Sequence, residues 1–275
     1  MRLFLLTSLT MLAFAANSIL NRAALSSGDI GAADFAMIRT VSGALMLALI
    51  LRLRAGHFWA LGEVSIGSVL GLAVYLVGFA FAYQSLEAGV GALILFGTVQ
   101  VIMMGWGLFS GERPGPLGIV GILLALAGLL ILTLPGASTP DPLGAALMAA
   151  AGVGWGYYSI YGKGVRDPLA ATAGNFLMAV PLALIVWLGF ASDVVLRSNG
   201  ALLAVVSGAV TSGLGYALWY RVLPDLRRIS AALAQLSVPV LAIVAGVILL
   251  GEQPGWLVVV ASGLILGGIF LSLKR

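Results

Sequence analysis

The chain has 275 residues, of which 61% are hydrophobic and 9% charged, and its formal net charge is +4. A soluble domain carries roughly 25% charged residues, so this composition excludes a water-covered globule, and ten spans of roughly 20 apolar residues each would fill the chain with only short loops between them. With no cysteine there are no disulfides or thiolate metal sites, and the dispersed basic residues exclude a nucleic-acid patch.

Hydropathy and turn chemistry predict ten membrane helices, at roughly 3–25, 31–53, 64–86, 89–110, 115–134, 142–163, 169–190, 199–222, 230–250 and 255–273. The expected fold is an all-α integral membrane protein. Arg2, the apolar run behind it and Ala13-Phe14-Ala15 resemble a signal peptide. The run continues to Leu25, however, which is long enough to span. The first helix carries Asn17 and Asn21 four residues apart, with Thr10 and Phe14 on the same face. That stripe is too polar for lipid and should face the bundle interior.

Helix two carries Arg39 about two turns from its start. It reads either as a counter-charge for an anionic solute or as a snorkelling side chain, or one paired with Asp34 or Glu87. The loop after it holds the single histidine, His57, a solvated loop residue. Helix three presents Tyr75, Phe79 and Tyr83 as one stripe, and helix four places Phe96 and Gln100 on a common face with Met103 or Met104. Helix six carries Trp155, Tyr157, Tyr158 and Tyr161; helix eight carries Tyr216, Trp219 and Tyr220. Tyr83, Tyr161 and Tyr220 sit where interfacial aromatic belts form. Tyr75 and Trp155 are deeper, and their polar atoms need partners that a cavity would supply. Buried amides at Gln235 and Asn175 suit interhelical hydrogen bonding. Gly67-x-x-x-Gly71, Gly152-x-x-x-Gly156 and Gly263-x-x-x-Gly267 are small-residue packing motifs.

With the N-terminus cytoplasmic, every Lys and Arg except Arg22, Arg39 and Arg197 falls on the cytoplasmic side, and ten spans return the C-terminus there. The two halves also resemble each other. Phe14 to Arg22 aligns with Trp155 to Lys163, Gly78 to Tyr83 with Gly215 to Tyr220, and Gly111-Glu112-Arg113-Pro114 with Gly251-Glu252-Gln253-Pro254, in order and at near-constant offset. Two five-helix repeats follow, residues 1–137 and 138–275. An odd number of helices per repeat inverts the second, a plan recurrent among secondary transporters.

These features resemble the drug/metabolite transporter superfamily, in its EamA-type branch of ten-helix proteins. The Gly-Glu-x-Pro ends of helices four and nine, Ser237-Val238-Pro239-Val240, Arg39 and the glycine-rich helices five and ten carry the resemblance. The sequence departs from the paired pattern at Val99, the counterpart of Pro239. The aromatic lining is most similar to YddG-type amino-acid exporters. The resemblance implies a central cavity between helices one, three, four, six, eight and nine. The expected solute contacts are Asn17, Asn21, Tyr75, Phe79, Phe96, Gln100, Trp155, Tyr158, Tyr216 and Trp219, with Arg39 as a possible charge partner.

The expected activity is export of small metabolites, neutral or aromatic amino acids foremost. Efflux of amphipathic cations, exchange of sugar nucleotides or phosphate esters, and a non-transporting assembly partner stay open. Phosphate esters would need more buried cations than Arg39 alone. An enzyme is disfavoured: the spans hold no paired carboxylates, histidine metal set, G-x-S-x-G elbow or cysteine nucleophile. No cofactor or metal is expected. The partners are a small-molecule substrate and the lipid bilayer, for a monomer in a bacterial inner membrane. No Asp or Glu lies near the middle of a span, which favours a facilitator or exchanger over a carboxylate-coupled antiporter.

Overall fold

Turn and cap chemistry sets where each helix of the computed structural model begins and ends. The structure describes all residues except 59–63, 112–114, 134–139, 163–164, 192–195, 223–224, 227 and 273–275, and the side chains at 108, 133, 220 and 228–233 are also outside the description. The helices are α1 (Arg2–Ser26), α2 (Ala32–Ala55), α3 (Ile66–Ala82), α4 (Ala88–Phe109), α5 (Pro116–Thr133), α6 (Pro142–Tyr161) and α7 (Pro168–Phe190), then α8 (Ser198–Val206), a π-helical segment (Ser207–Leu214), α9 (Gly215–Val222), α10 (Arg228–Leu250) and α11 (Trp256–Ser272). Because α8, the π segment and α9 run on as one span, these elements fall on the ten segments expected. No strand occurs among the described residues.

Asp141 and Asp167 accept from the backbone N–H groups of Gly144 and Ala170 and start α6 and α7, each with proline in the first turn, where its missing N–H costs nothing. Ser65 caps α3 in the same way. At the far ends, Gly111 follows α4 at φ 87° and Gly251 follows α10 at φ 69°, a left-handed backbone that strains any residue with a Cβ. That is the physical content of the repeated Gly-Glu-x-Pro motif. Its Glu112, Arg113 and Pro114, like Lys163, Arg227, Lys274 and Arg275, lie outside the described residues.

Among the described residues, five spans are long and apolar enough to cross a bilayer on length and composition, and four shorter helices are also apolar. Large apolar side chains such as Leu45, Leu49, Ile185, Leu188, Ile248 and Leu249 point outward and exposed. An exterior of this kind suits hydrocarbon, and helices satisfy their own backbone there. This is an all-helical membrane fold.

The helices pack in pairs that repeat. α3 packs on α6 as α1 packs on the eighth span; α4 packs on α6 as α1 packs on α10; α2 packs on the eighth span as α3 packs on α7. The pairs α2–α7, α4–α10 and α5–α11 exchange with themselves. At the α3–α6 crossing a Cβ on Gly71 would meet the Gly154 carbonyl oxygen at 2.7 Å, and one on Gly154 would meet that of Gly71 at 2.6 Å, so only glycine permits the approach. Gly263 and Gly267, expected to pack, have nothing within 4 Å. Their motif faces outward; the tight α5–α11 contact instead falls on Gly268 against the Gly121 carbonyl.

Ties between loops agree with the alternation of the spans. Arg22 pairs with Glu252 at 3.4 Å and Arg197 with Asp29 at 3.4 Å. Ser85 Oγ donates to Asp141 at 2.9 Å. All three join loops or helix ends that share one face in an alternating bundle. Arg54 pairs with Asp167 on the opposite face.

Candidate functional site

The polar stripe of α1 turns inward, as expected, and meets the π segment. Asn17 Oδ1 accepts from Ser207 Oγ at 2.6 Å and lies 3.0 Å from Thr211 Oγ1. Asn21 Nδ2 donates to the Asn17 carbonyl at 2.8 Å and to Ser207 Oγ at 3.2 Å. The Asn17 oxygen is thus saturated from the eighth span. Its amide nitrogen faces Tyr75, whose hydroxyl it reaches at 3.4 Å.

Arg39 lies behind Tyr75. It is fully buried at 0% exposure, donates from Nη2 to the Tyr75 hydroxyl at 2.9 Å and from Nε to Ser212 Oγ at 3.2 Å. Its guanidinium also sits 5.1 and 4.9 Å from the Tyr75 and Phe79 ring centroids, a cation–π arrangement. The snorkelling reading is therefore wrong, and so is pairing with Asp34, which accepts from Trp187 Nε1 at 2.7 Å. The reason is local. Gly208 brings the π segment so close to α2 that an added Cβ would stand 2.2 Å from the Arg39 carbonyl oxygen. That approach seals the arginine in, and the Ser212 and Tyr75 hydroxyls are its side-chain partners.

In front of this cluster lies a cavity with about 340 Å³ of non-atom space, mouth included, lined by Phe14, Asn17, Ser18, Tyr75, Phe79, Leu95, Phe96, Trp155, Thr211 and Tyr216. The room left free between side chains admits only a water or two, so a solute must widen it. The rings form one continuous wall: Tyr75 to Trp155 at 4.8 Å, Trp155 to Tyr216 at 4.9 Å and Phe14 to Tyr216 at 5.8 Å between centroids.

Six of the expected contacts therefore line the cavity: Asn17, Tyr75, Phe79, Phe96, Trp155 and Tyr216. The other four stand behind it. Asn21 supports Asn17 from below, and Tyr158 donates to Thr172 Oγ1 at 3.1 Å with its ring against Trp155. Trp219 packs on Phe14 at 6.1 Å, and Gln100 is buried one turn beyond Phe96, outside the lining. No described residue of α10, the expected sixth wall, reaches the cavity. Tyr83, expected in an interfacial belt, is instead fully buried, with its hydroxyl donating to the Ala88 carbonyl at 3.1 Å; α3 ends at Ala82 and the turn folds Tyr83 inward. Tyr161 is 52% exposed, as a belt residue would be.

Sequence reading missed Ser18, Leu95, Ser207, Thr211 and Ser212. A signal was present in Ser207-Gly208 and Thr211-Ser212-Gly213, since hydroxyls spaced four apart within an apolar span bond back to the helix and loosen it. Thr211 Oγ1 reaches the Ser207 carbonyl at 2.8 Å, inside the π segment, and π segments concentrate at functional sites. No group of three or more potential metal ligands occurs among the described residues.

Comparison with known proteins agrees with this architecture. The model of the EamA-like transporter family matches residues 142–274. An uncharacterized protein of Pseudomonas aeruginosa is 49% identical over 99% of this chain and 94% of its own length. An uncharacterized transporter of Archaeoglobus fulgidus is 27% identical over 75% of each chain. The uncharacterized inner membrane transporter YedA of Escherichia coli is 26% identical over 51% of this chain and 47% of its own. One solved crystal structure of a protein superposes with a TM-score of 0.68 over 98% of this chain and 96% of its own, at 20% identity, a likeness of fold alone. The chain belongs to the EamA-like transporter family and is a membrane transporter.

Proposed function

We propose that this EamA-like transporter is a secondary carrier that exports small amphipathic metabolites, neutral and aromatic amino acids foremost, by alternating access through the central cavity. The observation that carries this reading is the lining itself. Six aromatic rings surround one amide edge, at the meeting of α1, α3, α4, α6 and the eighth span. Such a wall takes up an apolar side chain, and a few fixed polar atoms orient the polar end. A narrower likeness to YddG-type exporters rests on that aromatic wall alone.

The exchange of helix pairs supports a division into two inverted repeats, 1–137 and 138–275. Rocking one against the other would open the cavity first to one face and then to the other. The ion pairs Arg22–Glu252 and Arg54–Asp167, on opposite faces, are suited to hold each side shut in turn. The protein works as a monomer in a bacterial inner membrane, with both termini cytoplasmic, an orientation supported by the placement of Lys and Arg. Since the carboxylates lie near helix ends, flux runs downhill or by exchange.

The test is uptake of labelled phenylalanine into liposomes containing the purified protein, competed by amino acids, amines and sugar phosphates, with and without a proton gradient. Saturable uptake that amino acids compete and the gradient leaves unchanged is the expected result. Uptake competed by sugar phosphates and not by amino acids would overturn the substrate class.

A further inference from the structure

The hydrogen-bond inventory of the cavity is one-sided. The Asn17 oxygen is occupied by the eighth span, so the amide shows the cavity only N–H. The Tyr75 oxygen receives Arg39 and Asn17, and the Tyr216 hydroxyl lies against it with no other protein partner. Two phenol hydrogens are present and at most one can be given to the other phenol. At least one therefore has no protein acceptor. Behind them stands a guanidinium with one nitrogen, Nη1, also without a partner. No carboxylate pairs with Arg39 among the described residues, and it is the one charged side chain buried among them. A buried, uncompensated cation is costly, and orphaned donors add to that cost.

We infer that the cavity selects its solute by a single carboxylate, received on the Asn17 amide and the Tyr75–Tyr216 hydroxyls, with Arg39 as the positioning charge that turns those donors toward it. This rests on the transport reading above and sharpens it. Arg39 does not need to touch the solute. By donating to the Tyr75 oxygen it forces the phenol hydrogen away from α2 and toward the cavity, and its charge makes an incoming anion the complement that the protein lacks. Among the lining side chains there is no carboxylate and no free amide oxygen for an ammonium group, and the hydroxyls and ring faces that remain stand before the Arg39 charge, which opposes a second cation. A 2-oxo, 2-hydroxy or unsubstituted monocarboxylate with an aromatic or branched side chain should therefore bind as well as the amino acid. Amines of the same shape should not, and a phosphate ester would bring more negative charge than one guanidinium offsets.

The experiment is binding, separate from transport: thermal stabilisation of the purified protein titrated with 3-phenylpropionate and with phenethylamine, which share a ring and differ in the charged end. The wild type should bind the acid more tightly than the amine by about tenfold to a hundredfold, the value of one charge-assisted hydrogen bond. Tyr75→Phe, which keeps the ring, and Arg39→Gln should each bring the ratio toward one, a change that loosened packing alone would not produce. Equal binding, or preference for the amine, by the wild type overturns the inference even if Arg39→Gln does not fold. Acid-selective binding in a protein that carries no solute into liposomes would support the inference and refute the transport reading.

Discussion

Glu252 ties the turn before α11 to α1 and to the start of α4 at one face, and its replacement tests that joint quantitatively. Its side chain is 9% exposed; it accepts from the Ala88 backbone N–H at 2.9 and 3.0 Å and pairs with Arg22 at 3.4 Å. Glu252→Gln keeps an acceptor at the start of α4 but loses the charge. Because Arg22 remains 19% exposed, water screens the pair, and the loss should be about 1 kcal/mol. Glu252→Ala also strands the Ala88 N–H, adding about 1–3 kcal/mol. The total, about 2–4 kcal/mol, should lower the unfolding midpoint of the purified protein by several degrees. The order should be wild type, then glutamine, then alanine. In an Arg22→Gln background the Glu252→Gln cost should shrink toward zero, since the pair is already broken. If glutamine and alanine behave alike and both match the wild type, Glu252 caps nothing and the joint has been misread.

Other perturbations have equally defined outcomes. Gly208→Ala should destabilise the protein by about 1–3 kcal/mol, because the new methyl faces backbone that cannot step aside; an unchanged melting temperature would mean that α2 and the π segment are less close. Ser207→Ala should raise the half-saturation concentration for uptake, because it removes one of the two bonds from the eighth span that fix the Asn17 amide, while leaving expression intact. Titration of stability should show two opposite signs. Burial first, and then the Glu252 charge, hold Glu87 above the usual carboxylate range, with Arg22 opposing them. Its folded form keeps a proton longer than the unfolded chain does, so its contribution is full below the ordinary Glu range and is lost as pH rises. Glu87→Gln should therefore narrow the gain seen on acidification from neutral pH. The Asn199 hydrogen bond, first among the causes, holds Asp29 below its ordinary range. Its contribution is present above that range and is lost as pH falls, so Asp29→Asn should flatten the acid limb.

The helices were legible because hydropathy marks a span and proline, glycine and aspartate mark its ends; Asp141-Pro142 and Asp167-Pro168 announce α6 and α7 outright. The aromatic wall was legible as stripes, since Tyr75 and Phe79 repeat at helical spacing and Tyr75 and Trp155 lie deeper in their spans than the belt positions. The positions one turn away were not separable by periodicity. Gln100 and Trp219 share their stripes with Phe96 and Tyr216 yet stand outside the cavity, because where a stripe stops lining and starts packing depends on the neighbouring helix. The place of Arg39 was illegible for a different reason. Its partners, Tyr75 and Ser212, lie 36 and 173 residues away in sequence. Serine and threonine in an apolar span barely alter its hydropathy, so the π segment that supplies Ser207, Thr211 and Ser212 showed only in the spacing of its hydroxyls.

Passage of the solute through the cavity bounded by Asn17 is best tested by uptake of labelled phenylalanine into liposomes carrying wild type, Asn17→Ala or Gln100→Ala at matched protein content and thermal stability. Wild type should show saturable uptake, Asn17→Ala should lose at least about tenfold, as expected for a removed polar contact, and Gln100→Ala, which lies outside the lining, should change little. Uptake that survives Asn17→Ala and collapses in Gln100→Ala would place the route elsewhere in the bundle.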